Sequence, residues 1–280
     1  MKRLFLLVLL GLSLMGYAQQ TRQLTILHTS DTHSRIDPIP SSAADSAAGL
    51  GGIVRRATFL KQYRAVHPDL LLFDSGDFSQ GTPYYTFFQG EVEVRLMNYM
   101  GYTAITIGNH EYDFGLENMA RIFRMAEFPV VCANCDFTGT PLEGVVKPYT
   151  VVERQGIRIG IFGLSPRLAG LVPTDKYGDV RYLDPIATTR EVVKTLREQE
   201  RCEVVICLSH LGFDVDMKLA QQVRNVDLYV GGHSHTFLKD MKYATDLDQR
   251  HIPIVQSGCF GITVGEIKVN CRRRTGQQTI

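Results

Sequence analysis

The sequence contains no tryptophan, and it has only six cysteines among its 280 residues. Neither sign of charge predominates, because 30 basic residues are matched by 29 acidic ones and the formal net charge is +1. This balance excludes the strong overall positive field that is typical of a dedicated nucleic-acid-binding protein. With 44% hydrophobic and 21% charged residues, the composition is that of a globular protein with a substantial core.

Long apolar runs are also scarce, and the one near the N-terminus has the features of an export signal. Lys2 and Arg3 precede an apolar run over residues 4–12, and residues 16–18 (Gly-Tyr-Ala) place small side chains around a cleavage point. The run is too short for a membrane-spanning helix. We therefore predict a signal peptide at residues 1–18 and an exported, periplasmic or secreted protein without a membrane anchor.

The cysteines are too few for their number and spacing to indicate a disulfide framework. Cys132 and Cys135 form a CxxC motif, which is compatible with a redox pair, half of a zinc site or two structural cysteines. No second CxxC follows in the sequence, and this favours the structural interpretation.

Residues 19–280 alternate short apolar runs with segments of helical periodicity, and we expect them to form a single domain. The apolar runs predict strands at residues 24–28, 70–73, 104–107, 130–132, 149–152, 157–162, 204–208, 226–230, 254–255 and 262–269. Helical spacing predicts helices at residues 53–66, 91–100 and 117–126 and after the capping pair Asp184-Pro185. This order of elements indicates an α/β fold with a mixed sheet or two packed sheets.

Five of the eight histidines follow predicted strand ends, in loops that commonly line the functional crevice of an α/β sheet. Together with two aspartates and an asparagine, they give a set of candidate metal ligands and one further histidine, His110. The candidate ligands are Asp31, His33, Asp77, Asn109, His210, His233 and His235. Imidazole, carboxylate and amide donors without thiolates suit Mn, Zn or Fe.

The spacing of these residues favours a pair of metal ions. Asp31 and His33 are separated by one residue, as are His233 and His235, so in extended backbone both members of each pair face one side. Seven ligands exceed the requirement of one tetrahedral ion and suit two ions that share a carboxylate.

Five motifs in sequence order resemble the calcineurin-like metallophosphoesterases, and specifically their secreted 5′-nucleotidase branch. The resemblance extends from about residue 24 to about residue 269. The motifs are Thr29-Ser30-Asp31-Thr32-His33-Ser34, Gly76-Asp77 with Gln80-Gly81-Thr82-Pro83, Gly108-Asn109-His110-Glu111, Ser209-His210, and Gly231-Gly232-His233-Ser234-His235.

The resemblance implies a four-layer αββα sandwich with two metal ions at the edge of the sheets. It also implies how the ligands are divided between the two ions. In addition, it implies that a histidine–aspartate pair, His110 and Asp113, faces the phosphate. Asp31, His33 and His235 would hold one ion, Asn109, His210 and His233 would hold the other, and Asp77 would bridge them.

The expected activity is hydrolysis of 5′-nucleotides to nucleoside and phosphate by a metal-activated hydroxide. The substrate would be a small phosphate ester and not a polymeric nucleic acid. The alternatives are hydrolysis of a cyclic nucleotide, a nucleotide-sugar or a thiosulfate ester, or a non-catalytic metal-binding scaffold. Because His110 and Asp113 are not expected to be ligands, their presence disfavours the scaffold.

Secreted 5′-nucleotidases usually carry a second, C-terminal domain that recognises the nucleotide, and the resemblance gives no counterpart of it in this sequence. Three explanations remain open. A separate chain could supply that domain, the core could act with little selectivity, or local loops could recognise the substrate. Tyr84, Tyr85, Phe87 and Phe88 could stack on a base, form a partner interface or be ordinary core and helix residues.

Overall fold

The computed structural model describes residues 21–44 and 46–272. The signal peptide predicted at residues 1–18 lies outside them. No helix within the described residues has the length and apolar character required to cross a lipid bilayer.

The strands belong to two large sheets and one small one. In chain order they are β1 (Thr21–Thr29), β2 (Leu71–Asp74), β3 (Ala104–Ile105), β4 (Cys135–Asp136), β5 (Tyr149–Arg154), β6 (Ile157–Leu164), β7 (Arg181–Tyr182), β8 (Val204–Ser209), β9 (Leu228–Gly231), β10 (Lys242–Thr245), β11 (His251–Gln256) and β12 (Gly265–Arg272). The first sheet has the order β12-β1-β2-β3, the second has the order β10-β11-β9-β8-β6-β5, and β4 pairs with β7.

Helices cover the outer face of each large sheet. They are α1 (Ile53–Val66), α2 (Pro83–Phe88), α3 (Glu91–Met100), α4 (Gly115–Phe123), α5 (Thr174–Tyr177), α6 (Pro185–Lys194) and α7 (Phe213–Ala220). A 3₁₀ turn spans His110–Tyr112, and a π-helical turn at Thr195–Gln199 extends α6.

Alternation of side chains along the strands produces three hydrophobic layers. In β1, Ile26 packs between the two sheets, whereas Leu27 contacts the helices on the outer face. In β8, Ile206 lies between the sheets and Val205 packs toward α6 and α7. Because successive strand side chains point to opposite faces, one buried run supplies two layers at once. The result is helix, sheet, sheet, helix, which confirms the predicted αββα sandwich.

Most predicted elements are present, with shifted ends. The helices at 53–66 and 91–100 are confirmed, as is the antiparallel hairpin β5–β6 around Gln155-Gly156. The Asp184 side chain caps α6 by accepting a hydrogen bond from the Ala187 N–H at 2.8 Å. The strand predicted at 130–132 is wrong, because this segment makes isolated bridges and no continuous ladder.

The ends of the parallel strands determine where the polar loops of the chain can meet. Strands β1, β2 and β3 run parallel, and so do β6, β8 and β9. Ser75, directly after β2, links the two sheets: its hydroxyl donates to the Val230 carbonyl at 2.7 Å. The loops after β1, β2, β3, β8 and β9 therefore converge at one edge of the sandwich.

We expect Gly163→Ala in β6 to lower the free energy of unfolding by about 3 kcal/mol or more, because overpacking in a closely packed core is destabilising. A β-carbon at Gly163 would collide with the Val131 carbonyl and the Thr106 hydroxyl. Chemical denaturation measures the change. Gly139→Ala is the control, since a β-carbon there meets nothing within 4 Å although φ is +77°. Equal losses in the two variants would contradict the steric explanation.

Candidate active site

The structure brings the seven predicted ligand residues to the common edge of the two sheets. Two groups of three side chains each have ligand atoms within 4.8 Å of one another. The first group is Asp31, His33 and His235, and the second is Asp77, His210 and His233.

In the first group, two imidazole nitrogens face each other at hydrogen-bonding distance. His33 Nε2 lies 2.9 Å from His235 Nε2, and His235 Nε2 lies 3.5 Å from Asp31 Oδ1. Two ring nitrogens at this distance require a proton or a cation between them. The second carboxylate oxygen of Asp31, Oδ2, is buried and has no hydrogen-bond partner among residues 21–44 and 46–272. Both observations fit a metal ion with nitrogen and oxygen ligands.

The second group is joined to the first through His210. His210 Nε2 lies 3.1 Å from Asp77 Oδ2 and 3.8 Å from Asp31 Oδ1. Its Nδ1 lies 2.5 Å from the Ser75 carbonyl, which orients the ring. The His233 N–H donates to Asp31 Oδ1 at 2.9 Å, so the two groups share one hydrogen-bonded framework.

Asn109, the predicted amide ligand, belongs to neither group of three but lies beside Asp77. The N–H of His110 donates to Asp77 Oδ1 at 2.9 Å, and Gly108 is so close that a β-carbon there would collide with the Asp77 carboxylate. Asn109 Oδ1 is buried and finds no hydrogen-bond partner in the part of the chain that the structure describes. Buried polar atoms are normally paired, so this oxygen is a fitting ligand for a cation.

The backbone at the ligands differs from the extended form that we expected. Five of the seven have positive φ: Asp31 (51°), His33 (45°), Asp77 (54°), His233 (73°) and His235 (53°). The expectation of extended backbone at these two pairs is therefore wrong. Asp31 and His33 nevertheless lie in one ligand group, whereas His233 and His235 belong to different groups. Left-handed conformations in non-glycine residues are strained and concentrate at functional sites.

Burial favours the neutral form of His33 and His233. Burial lowers the pKa of His33 to about 4 and, likewise, the pKa of His233 to about 4. A neutral imidazole has the free lone pair that a metal ligand needs. At His210 burial also acts to lower the pKa, but the carboxylates of Asp77 and Asp31 outweigh it and raise the pKa to about 10. Burial raises the pKa of Asp31, so its anionic form requires compensating positive charge nearby.

His110 lies in neither group and forms a pair with Asp113. Its Nδ1 is 3.2 Å from Asp113 Oδ2, and its ring centroid is 5.5 Å from that of His33. About one third of each side chain in this pair is exposed. The hydrogen bond to Asp113 raises the pKa of His110, and burial opposes this only in part. The pair with Asp113 therefore favours the protonated, hydrogen-bond-donating form of His110, at a partly exposed position next to the candidate ligands.

Residues 24–237, which contain all of these side chains, match the calcineurin-like phosphoesterase family. The chain belongs to this family. Calcineurin-like phosphoesterases use a dinuclear metal centre, and the two ligand groups fit such a centre.

The 5′-nucleotidase of Bos taurus is 32% identical over 277 residues, which cover 92% of this chain and 48% of that protein. The 5′-nucleotidase of Homo sapiens is 33% identical over 272 residues, covering 90% of this chain and 47% of that protein. The 5′-nucleotidase precursor of Thermus thermophilus has a similar structure, with a TM-score of 0.83, 31% identity and coverage of 89% of this chain and 51% of that chain. The chain spans about half the length of the relatives that it matches.

Glu111 supports this phosphoesterase site without belonging to a ligand group. Its fully buried carboxylate accepts hydrogen bonds from the N–H groups of Asp77, Ser79 and Gly108, at 3.0, 3.2 and 2.6 Å. Burial raises its pKa to about 7. Glu111 thus connects the loop after β2 to the loop after β3 by hydrogen bonds. The sequence shows Glu111 in the motif with His110 but does not show what it contacts.

Phe260 and Arg35 border the first ligand group, and sequence reasoning assigned neither of them to the site. The Phe260 N–H donates to the Asp31 carbonyl at 2.7 Å, and its ring centroid lies 5.8 Å from His33 and 6.0 Å from His235. The Arg35 guanidinium stacks 5.0 Å from the centre of the Phe260 ring. No local motif marks Phe260, because the fold alone brings it next to β1.

Gln256 orients the loop that carries two of the candidate ligands, His233 and His235. Its buried Oε1 accepts hydrogen bonds from the Ser234 hydroxyl and from the Thr236 N–H, both at 2.9 Å. These residues flank His235, so the contact fixes the direction of the loop after β9. Strand pairing of β11 with β9 places Gln256 opposite Gly231.

We expect Gln256→Leu to weaken metal binding by about 10- to 100-fold, the usual effect of losing a residue that orients ligands. Metal content after dialysis against graded chelator measures the loss. Gln256→Glu keeps the accepting oxygens and is expected to retain most of the affinity, and the exposed Gln221→Leu is the control. Full metal affinity in Gln256→Leu would refute this role.

Proposed function

We propose that the chain is a phosphomonoesterase that requires two divalent metal ions and hydrolyses 5′-nucleotides to nucleoside and phosphate. The observation that carries the proposal is the partly exposed His110–Asp113 pair directly beside two joined ligand groups. The bovine and human relatives, which are named 5′-nucleotidases, support the choice of substrate.

In this proposal one ion is held by Asp31, His33 and His235. The other would be held by His210, His233 and Asn109, whose buried Oδ1 has no partner among the described residues. Asp77, which lies 3.1 Å from His210 Nε2, would supply the carboxylate that the two sites share. When bound, the two ions neutralise charge on the phosphoryl group and activate water.

His110 has the role of the cationic donor at the phosphate. Asp113 fixes the ring through Nδ1, which leaves Nε2 to donate a hydrogen bond. The proton at Nε2 stabilises the charge that develops on the phosphate oxygens or protonates the leaving oxygen. Asp77 Oδ1 accepts the His110 N–H and so ties this donor to the metal-binding loops.

The types of ligand atom at the two sites limit which metal ions can bind. The two groups combine imidazole nitrogens with carboxylate and amide oxygens and contain no thiolate. Such ligands suit Mn, Zn or Fe. Elemental analysis of the purified protein is expected to find ions of this class.

We also propose that the protein is exported by its N-terminal segment, with cleavage after Ala18. The positive residues, the short apolar run and the small residues before the cleavage point support this interpretation. We expect mass spectrometry of the protein from the native host to show a mature chain that begins at Gln19. A chain that still begins at Met1 would contradict the proposed cleavage.

The test of the reaction is a panel of esters assayed with the metal-loaded protein. It contains 5′-AMP, a cyclic nucleotide, a nucleotide-sugar and a thiosulfate ester. We expect kcat/KM for 5′-AMP to exceed that for each of the others by about 100-fold or more. A preference for any other member would replace the proposed substrate. Activity that appears only with a separate chain would place nucleotide recognition in that partner.

A further inference from the structure

An open pocket of about 640 Å³ lies next to the His110–Asp113 pair. Asp113 forms part of its wall, together with Phe114 and the segment that leads into α2. The volume lies within the range of pockets that bind small organic molecules. The pocket therefore adjoins the proposed active site at the His110–Asp113 pair.

Aromatic rings line this pocket with unusual exposure. Phe87 is 78% exposed and Phe114 is 37% exposed, whereas Tyr85 is buried. The rings of Tyr85 and Phe114 are 5.1 Å apart, and the Tyr85 hydroxyl donates to the His110 carbonyl at 3.2 Å. Core packing accounts for Tyr85 but not for the exposed ring of Phe87.

Gln80 adds a polar group to the same wall. Within residues 21–44 and 46–272 its side-chain amide makes no hydrogen bond, so a donor and an acceptor are both available. Its φ is +70°, a conformation that non-glycine residues adopt mainly where other structure imposes it. The pocket therefore combines ring faces with one amide that can pair with the edge of a heterocycle.

We propose that this pocket binds the planar base of the substrate's leaving group, with Phe87 as a stacking surface. The inference rests on the proposed function, because the phosphate must lie at the metal ligands for the leaving group to extend past His110 toward Asp113. It assigns base recognition to this chain. Of the four aromatic residues at positions 84–88, Phe87 and Tyr85 line the pocket, while Tyr84 and Phe88 do not.

The experiment compares Phe87→Ala with Phe88→Ala in the metal-loaded full chain. Phe88 is a matched control, because it lies at the same helix end, is 51% exposed and does not line the pocket. Each protein is assayed with 5′-AMP and with ribose 5-phosphate, which has the same phosphate and sugar but no base. Both residues are exposed, so circular dichroism is expected to show unchanged folding.

We expect Phe87→Ala to raise KM for 5′-AMP about tenfold, in line with base–aromatic stacking, and to leave kcat unchanged. KM for ribose 5-phosphate stays at the parent value, and Phe88→Ala leaves both substrates unaffected. An unchanged KM for 5′-AMP in Phe87→Ala, or an equal rise for both substrates, would overturn the proposal.

Calorimetric titration with adenosine separates this inference from the proposed function. Adenosine binding that Phe87→Ala weakens about tenfold supports the pocket, even if the parent protein releases phosphate from neither ester. In that case the proposed function fails and the base site stands. Absence of adenosine binding together with normal turnover of both esters overturns the base site alone.

Discussion

Asp77→Asn is expected to reduce the bound metal to one ion or fewer per chain and to slow phosphate release by at least about 1,000-fold, the scale of losing a principal electrostatic group. Asp77 is buried, lies 3.1 Å from His210 Nε2 and belongs to the second ligand group. Asparagine keeps the shape and the oxygen that accepts the His110 N–H, but it removes the negative charge between the two sites. Elemental analysis and a phosphate assay measure the two effects.

The control for this variant is Asp69→Asn, which alters an exposed aspartate outside both ligand groups. We expect it to retain both metals and full activity. If Asp77→Asn bound metal and released phosphate like the parent, Asp77 would not be a shared ligand. A thermal unfolding curve shows whether the folded protein itself survives the change.

His110→Ala is expected to retain its metals and to lose about 10²- to 10⁴-fold in kcat, the range for loss of a general acid or an equivalent donor. The reason is that His110 belongs to neither ligand group, while its ring lies 5.5 Å from that of the candidate ligand His33. Metal content separates this variant from Asp77→Asn. The exposed His251→Ala serves as the control, and it is expected to behave like the parent.

Asp113→Asn gives a finer test of the same pair. Asparagine can still contact Nδ1, but it no longer favours the charged imidazole, so we expect an intermediate loss of about 10- to 100-fold in kcat. Metal content should again be unchanged. If His110→Ala lost its metals, or kept full turnover, its assignment as the donor at the phosphate would be wrong.

The layers of the fold could be predicted because each strand carries a local signal. Ile26 and Leu27 are adjacent apolar residues in β1, and such runs are typical of strands buried on both faces. The segment at 130–132 has the same composition but forms only bridges, one of them with Ile105 at the edge of the first sheet. A segment forms a full strand ladder only if the tertiary structure places a neighbouring strand beside it. The local composition carries no information about that neighbour.

The candidate ligands could be predicted because polar residues directly follow buried strands, and parallel strands end at one edge. Their backbone conformation could not, since positive φ at Asp31 and His33 is imposed by contacts with the loop after β2. The support from Glu111 and Gln256 escaped prediction for the same reason. Each acts on residues that come from other strands or loops, as the hydrogen bonds of Gln256 to the loop after β9 illustrate.

The most direct test of the central claim is phosphate release from 5′-AMP by the metal-stripped protein, measured before and after addition of Mn²⁺. We predict no release from the stripped protein and strong release when two ions per chain are bound. Equal release in the presence of chelator would contradict the metal-dependent mechanism. No release despite two bound ions would contradict the assignment of 5′-nucleotides as substrates of this chain.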